Sequence, residues 1–124
     1  DCAFVFITNN DSYRRVKSRT YVVNPNGVAA RDVFYRLADT TGGAVWDQFE
    51  IMGGLKSMEK WRLAKLAKYD RVHFTNAGYK LLGDLFYNAL AQTIYNNSIL
   101  RDSEKQLLPQ QSIDSNERYQ YISY

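Results

Sequence analysis

A single cysteine and a single histidine stand among the 124 residues. One thiol, Cys2, excludes an intrachain disulfide and any cysteine-based metal site. At the head of a strand-like run it reads as a small buried hydrophobe, or as a thiol whose partner lies outside these residues. No apolar run approaches the ~20 residues that a membrane-spanning helix needs, so no membrane span is expected. An excess of one charge is missing too: 16 Lys and Arg against 13 Asp and Glu leave +3, with the basic residues scattered along the chain. A nucleic-acid partner therefore gains little support. The chain opens at Asp1 with neither an initiator Met nor a signal peptide, and it enters a strand pattern almost at once. The expectation is the second half of a larger domain.

What is present is an ordinary globular composition, 45% hydrophobic and 23% charged. Ten tyrosines help to bring the aromatics to 15%, which suits a carbohydrate or polar-ligand surface and equally suits packing. Residues 3–8 form a β-branched and aromatic run, closed by the turn cluster Asn9-Asn10-Asp11-Ser12. Residues 13–25 have no clear period and read as a partly basic loop. A helix is predicted from Pro25-Asn26-Gly27, with Ala30, Val33, Phe34, Leu37 and Ala38 on one face and Gly42-Gly43 at its end. Residues 44–49 read as a second strand, and Gly53-Gly54 breaks the chain. A short helix capped by Ser57 follows, with Met58, Trp61 and Leu66 as its apolar residues. Thr75 caps the last helix, whose stripe of Ala77, Leu81, Leu82, Leu85, Phe86, Ala89, Leu90 and Ile94 fades near Asn96-Asn97.

Strand, helix, strand and helix in this order predict an α/β fold with a parallel βαβ unit. Parallel sheets are covered on both faces and are rarely two-stranded, so the sheet reads as incomplete. Residues 1–98 are assigned to the domain and 99–124 to a polar C-terminal tail with weak order.

The densest chemistry lies in Asp70-Arg71-Val72-His73-Phe74-Thr75-Asn76-Ala77-Gly78-Tyr79. The one imidazole stands three residues after a carboxylate, on a short polar loop that enters a helix. The loop gives exposure, and the carboxylate and helix start fix the ring, as a general base requires. Asp-x-x-His alone also occurs on ordinary surfaces, and the longer string is more specific.

That string resembles the last sequence block of the GDSL-type esterases, or SGNH hydrolases. The likeness extends to bacterial carbohydrate and peptidoglycan O-acetylesterases through Thr8 to Ser12, Ala44-Val45-Trp46-Asp47, Met52-Gly53-Gly54 and Ser57 to Trp61, covering roughly residues 3–95 in order. It implies part of a three-layer α/β/α, flavodoxin-like fold, namely its last two parallel strands with flanking helices. It also implies an esterase that removes O-acetyl groups from a polysaccharide. His73 would be the general base and Asp70 its orienting carboxylate. No metal or organic cofactor is implied. The expected partners are an acylated carbohydrate and the N-terminal half of the same domain, and the location is periplasmic or extracellular. The family's Gly-Asp-Ser nucleophile motif does not occur here. The alternatives are a non-catalytic α/β binding module and an acyltransferase using the same dyad.

Other residues have plainer readings. Thr8-Asn9-Asn10-Asp11 resembles the family's oxyanion block less well than it resembles a strand-end turn, because Thr8 stands where that block has glycine. Asp47 reads as a capping or packing carboxylate, and Met52-Gly53-Gly54 as a tight backbone path. Trp46 and Trp61 read as core, although Asn9, Asn10, Tyr13 and Trp46 could face a sugar. Ser12 and Ser57 lack a nucleophile-elbow setting.

Overall fold

The computed structural model describes residues 2–107. Two compact units divide the chain at 88/89, and the first, residues 1–88, holds every described strand. The element order is β1 (Val5–Ile7), β2 (Tyr13–Lys17), β3 (Thr20–Val23), α1 (Asn26–Thr41), β4 (Ala44–Trp46), α2 (Gln48–Ile51), α3 (Ser57–Leu63) and α4 (Asn76–Leu107).

β1 and β4 pair in parallel, with Val5, Phe6 and Ile7 opposite Ala44, Val45 and Trp46. The Thr8 N–H donates to the Trp46 carbonyl at 3.1 Å and prolongs the ladder. α1 is the crossover between these strands. Its last turn closes on Gly42 in the left-handed conformation, and the Gly43 N–H donates to the Ala38 carbonyl at 2.9 Å. The α/β expectation holds. Among the described residues the parallel sheet has two strands, and Val5 and Ile7 remain more than two-fifths exposed. On α1, Ala38 is buried and Ala30 and Phe34 are half-buried, while Val33 and Leu37 face solvent. Cys2 is exposed rather than buried.

Residues 13–25 depart from the loop expectation. Most of them form an antiparallel hairpin, β2 on β3, with Tyr13 opposite Val23 and Lys17 opposite Thr20. The pairing slips by one residue between Arg15 and Lys17, which breaks the period-two alternation that marks a strand. The turn is carried by Arg19 at φ 59°, a residue type with no turn preference.

β4 is also shorter than expected. Asp47 ends it by accepting the Glu50 N–H at 3.2 Å, and residues 48–51 coil into α2 instead of continuing the strand. Gly53 and Gly54 then take φ of 107° and 69°, which only glycine adopts cheaply, so Met52-Gly53-Gly54 is the tight path expected.

The core of this unit is Trp46, Met52, Met58, Ala67, Phe74 and Leu82, with Tyr13, Trp61 and Phe86 packed against it. Trp46 meets Phe86 edge-on at 5.1 Å, and Trp61 meets Phe74 edge-on at 5.4 Å. Both tryptophans are core, as expected, and buried Trp46 presents no face to a sugar. In α4 the Gly78 N–H donates to Thr75 Oγ1 at 3.2 Å, so Thr75 caps the helix. Leu82 is buried, whereas Leu81 and Leu85 are more than a third exposed. The helix continues to Leu107, past the point where the apolar stripe fades, so residues 99–107 of the expected polar tail are helical. The rest of that tail, 108–124, lies outside the described residues.

Candidate active site

The loop between α3 and α4 is pinned at both ends. The Lys68 N–H donates to the His73 carbonyl at 2.8 Å and the Thr75 N–H to the Leu66 carbonyl at 2.9 Å, while Ala67 and Phe74 form an antiparallel bridge. The backbone there is extended, so neighbouring side chains point to opposite sides. Phe74 enters the core, and the His73 side chain, 61% exposed, faces out. Gly78 lies one turn into α4, where a Cβ would run into the Leu66 carbonyl oxygen. Only glycine lets helix and loop approach this closely, which is the physical role of the Gly78-Tyr79 pair.

Asp70 organises the turn. Its Oδ1 accepts the Val72 and His73 N–H groups at 2.9 and 3.0 Å, and its Oδ2 meets His73 Nδ1 at 2.9 Å. Partial burial pushes the carboxyl up. The bonds from the His73 N–H, the imidazole and the Val72 N–H outweigh that and hold it down at about 2. Asp70 is therefore a carboxylate at neutral pH and can only accept hydrogen bonds. A hydrogen bond to it needs a proton on His73 Nδ1, and in the neutral tautomer that satisfies this the lone pair falls on Nε2. This arrangement holds the imidazole in one orientation through one carboxylate, with Nε2 left without a protein partner among the described residues.

The strand-end turn after β1 buttresses this loop. Asn10 Nδ2 donates to the Val72 carbonyl at 3.2 Å, and the Tyr13 N–H to the Arg71 carbonyl at 3.1 Å. Asn9 Nδ2 donates to the Gly27 carbonyl at 3.1 Å and ties the same turn to α1. Asp11 is wholly buried and accepts the Met58 N–H at 2.9 Å. That bond corrects the expected cap of α3. Lys56, at φ 72°, precedes the helix with no side-chain cap, Ser57 Oγ is buried without a partner among the described residues, and Asp11 caps the helix from across the chain.

Asp47 is the capping and packing carboxylate expected. It accepts from Arg31 Nε at 2.6 Å, the Tyr35 hydroxyl at 2.7 Å and Thr8 Oγ1 at 3.0 Å. Burial raises its pKa, but these bonds leave it below the ordinary carboxylate value.

Sequence reasoning missed the basic side of the site. Arg15, Arg19, Arg62 and Arg71 line one groove beside the Asp70 turn, although 56 positions separate the first from the last. Spread through the sequence, they carry no common motif. Among the described residues no three of His, Cys, Asp and Glu gather as a metal site would need. No described helix is long and apolar enough to cross a membrane.

No protein-family model matches the chain, and no curated protein matches it by sequence. A structural match exists with a chain titled "Peptidoglycan O-acetylesterase in action, 5 min". It has a TM-score of 0.68 at 20% identity and covers 76% of the present chain. The likeness is one of fold, a mixed α/β arrangement of parallel strands with flanking helices. The match spans 27% of the length of that esterase.

Proposed function

We propose that the protein is a serine ester hydrolase of the SGNH type that removes O-acetyl groups from a polysaccharide, with His73 as general base and Asp70 as the carboxylate that orients it. The observation that carries this reading is the 2.9 Å contact between Asp70 Oδ2 and His73 Nδ1, with Nε2 left without a protein partner among the described residues. The fold shared with an esterase supports it, as does the two-stranded parallel sheet with its exposed flanks. In this proposal the nucleophilic serine and the oxyanion-hole donors belong to an N-terminal half of the same domain, which adds strands to the sheet. The protein acts in the periplasm or outside the cell.

The chemistry takes two steps. His73 Nε2 removes the serine hydroxyl proton as the oxygen attacks the acetyl carbonyl. The imidazolium, stabilised by Asp70, gives that proton to the leaving sugar oxygen, and an acetyl-serine remains. Water then attacks the acetyl-serine, His73 takes its proton and returns it to serine, and acetate departs. Neither metal nor organic cofactor enters.

The His73 side chain is 61% exposed, and so open a site favours short acyl groups, since each methylene left in water forgoes the ~0.8 kcal/mol that burial supplies. The test compares kcat/KM for acetyl, butyryl and octanoyl nitrophenyl esters and follows acetate release from acetylated xylan and peptidoglycan. Acetyl esters are expected to react fastest. A rise in kcat/KM towards octanoyl would overturn the O-acetylesterase assignment.

A further inference from the structure

The hairpin β2–β3, the C-terminal end of α3 and the Asp70 turn surround a groove of about 410 Å³ lined by Arg15, Arg19, Tyr21, Arg62, Tyr69 and Arg71. Of its four guanidinium groups, two share one carboxylate. Glu59 accepts from Arg62 Nη2 at 2.7 Å and Nε at 3.1 Å, and from Arg71 Nε at 2.6 Å. Arg15 donates only to the Lys17 carbonyl, at 3.3 Å, and among the described residues neither Arg15 nor Arg19 has an acidic partner. Four positive charges against the single carboxylate of Glu59 leave the groove net positive, which favours an anion there.

Of the four left-handed non-glycine residues among the described ones, two, Arg19 and Arg71 at φ 59° and 57°, line this groove. The strain of such a conformation persists where the surrounding structure enforces it, and it gathers at functional sites. Arg71 is held between Glu59, the Tyr69 carbonyl at 3.2 Å and the face of Tyr21 at 4.4 Å. Arg62 lies over Tyr69 at 5.5 Å. The guanidinium planes are thereby fixed, and Arg62 Nη1 and Arg71 Nη2 keep no protein partner among the described residues.

We propose that this groove binds the carboxylate of an acidic sugar unit in the acetylated polymer, so that acidic polysaccharides are selected over neutral ones. Pre-set guanidinium forks match a planar carboxylate, tyrosine hydroxyls suit sugar hydroxyls, and the volume fits one or two sugar units. A single-stranded nucleic acid fits less well. One face of each tyrosine is already covered by a guanidinium, which leaves a poor stacking platform, and Glu59 repels a continuous phosphate backbone. That the acidic sugar belongs to the substrate polymer rests on the esterase reading, but the binding is measured without turnover.

The experiment is calorimetric titration of the full-length protein at low salt with trigalacturonate, with the N-acetylglucosaminyl–N-acetylmuramic acid disaccharide, with xylotriose and with an oligothymidylate. One or both acidic sugars should bind, and the tighter of the two identifies the source of the carboxylate. Arg15→Gln/Arg19→Gln should weaken that binding at least tenfold, whereas Arg15→Lys/Arg19→Lys should retain most of it and so separate charge from folding. No binding of either acidic sugar, equal binding of xylotriose, tighter binding of the oligothymidylate or an unaffected double Gln variant would each overturn the proposal. Hydrolysis of a neutral nitrophenyl ester, read separately, reports on the esterase reading alone.

Discussion

Asp11 Oδ2 accepts the Met58 N–H at 2.9 Å across 47 residues, and so the turn after β1 caps α3. The carboxylate is fully buried, and its other oxygen has no partner among the described residues. Removing it leaves an unpaired N–H in the core and an uncapped helix start, at a cost of about 1–3 kcal/mol. Asp11→Ala should lower the urea midpoint accordingly, while Asp11→Asn keeps an acceptor and should lose less. An unchanged midpoint in the alanine variant would show that the cap contributes nothing.

Two glycines of α4 should respond in opposite directions. A Cβ at Gly78 would strike the Leu66 carbonyl oxygen, whereas nothing lies within 4 Å of one at Gly83. Gly78→Ala should destabilise by about 2 kcal/mol or more, since backbone cannot yield as a side chain does. Gly83→Ala should be neutral or stabilising by about 0.5–1 kcal/mol. Thermal unfolding of the two variants decides, and equal shifts would refute the close approach of loop and helix.

Acid stability should depend on Asp70 and Glu59. Hydrogen bonds from Arg62 hold Glu59 down to about 2, and bonds from the His73 loop hold Asp70 at the same value, against ordinary values of 4.5 and 3.8. A depressed pKa means that the folded chain prefers the charged form. Its stabilisation is present above the unfolded value and is lost as pH falls from about 4.5 towards 2. Glu59→Gln and Asp70→Asn should each flatten the fall of the urea midpoint across that window. Asp70 should give the smaller effect because its side chain is 45% exposed.

The parts of the fold that follow regular periods were legible in the sequence. The parallel strands, the helix closed by Gly42 and the cap at Thr75 follow from apolar spacing and helix-end chemistry. The hairpin was hidden by its register slip and by an arginine in its turn, and α2 by the capping of Asp47 inside an apolar run. Asp70 and His73 were legible because three residues of chain hold both in one turn. Asp11 and the four arginines were not, since tertiary contacts bring them to their partners.

The most direct test of the Asp70–His73 assignment is kcat/KM for nitrophenyl acetate in the full-length protein and in its His73→Ala variant, each checked for folding by circular dichroism. Triad members act as a unit, so a loss of about 10³-fold or more is expected, with Asp70→Asn also severe. Near-normal turnover by folded His73→Ala would contradict the account.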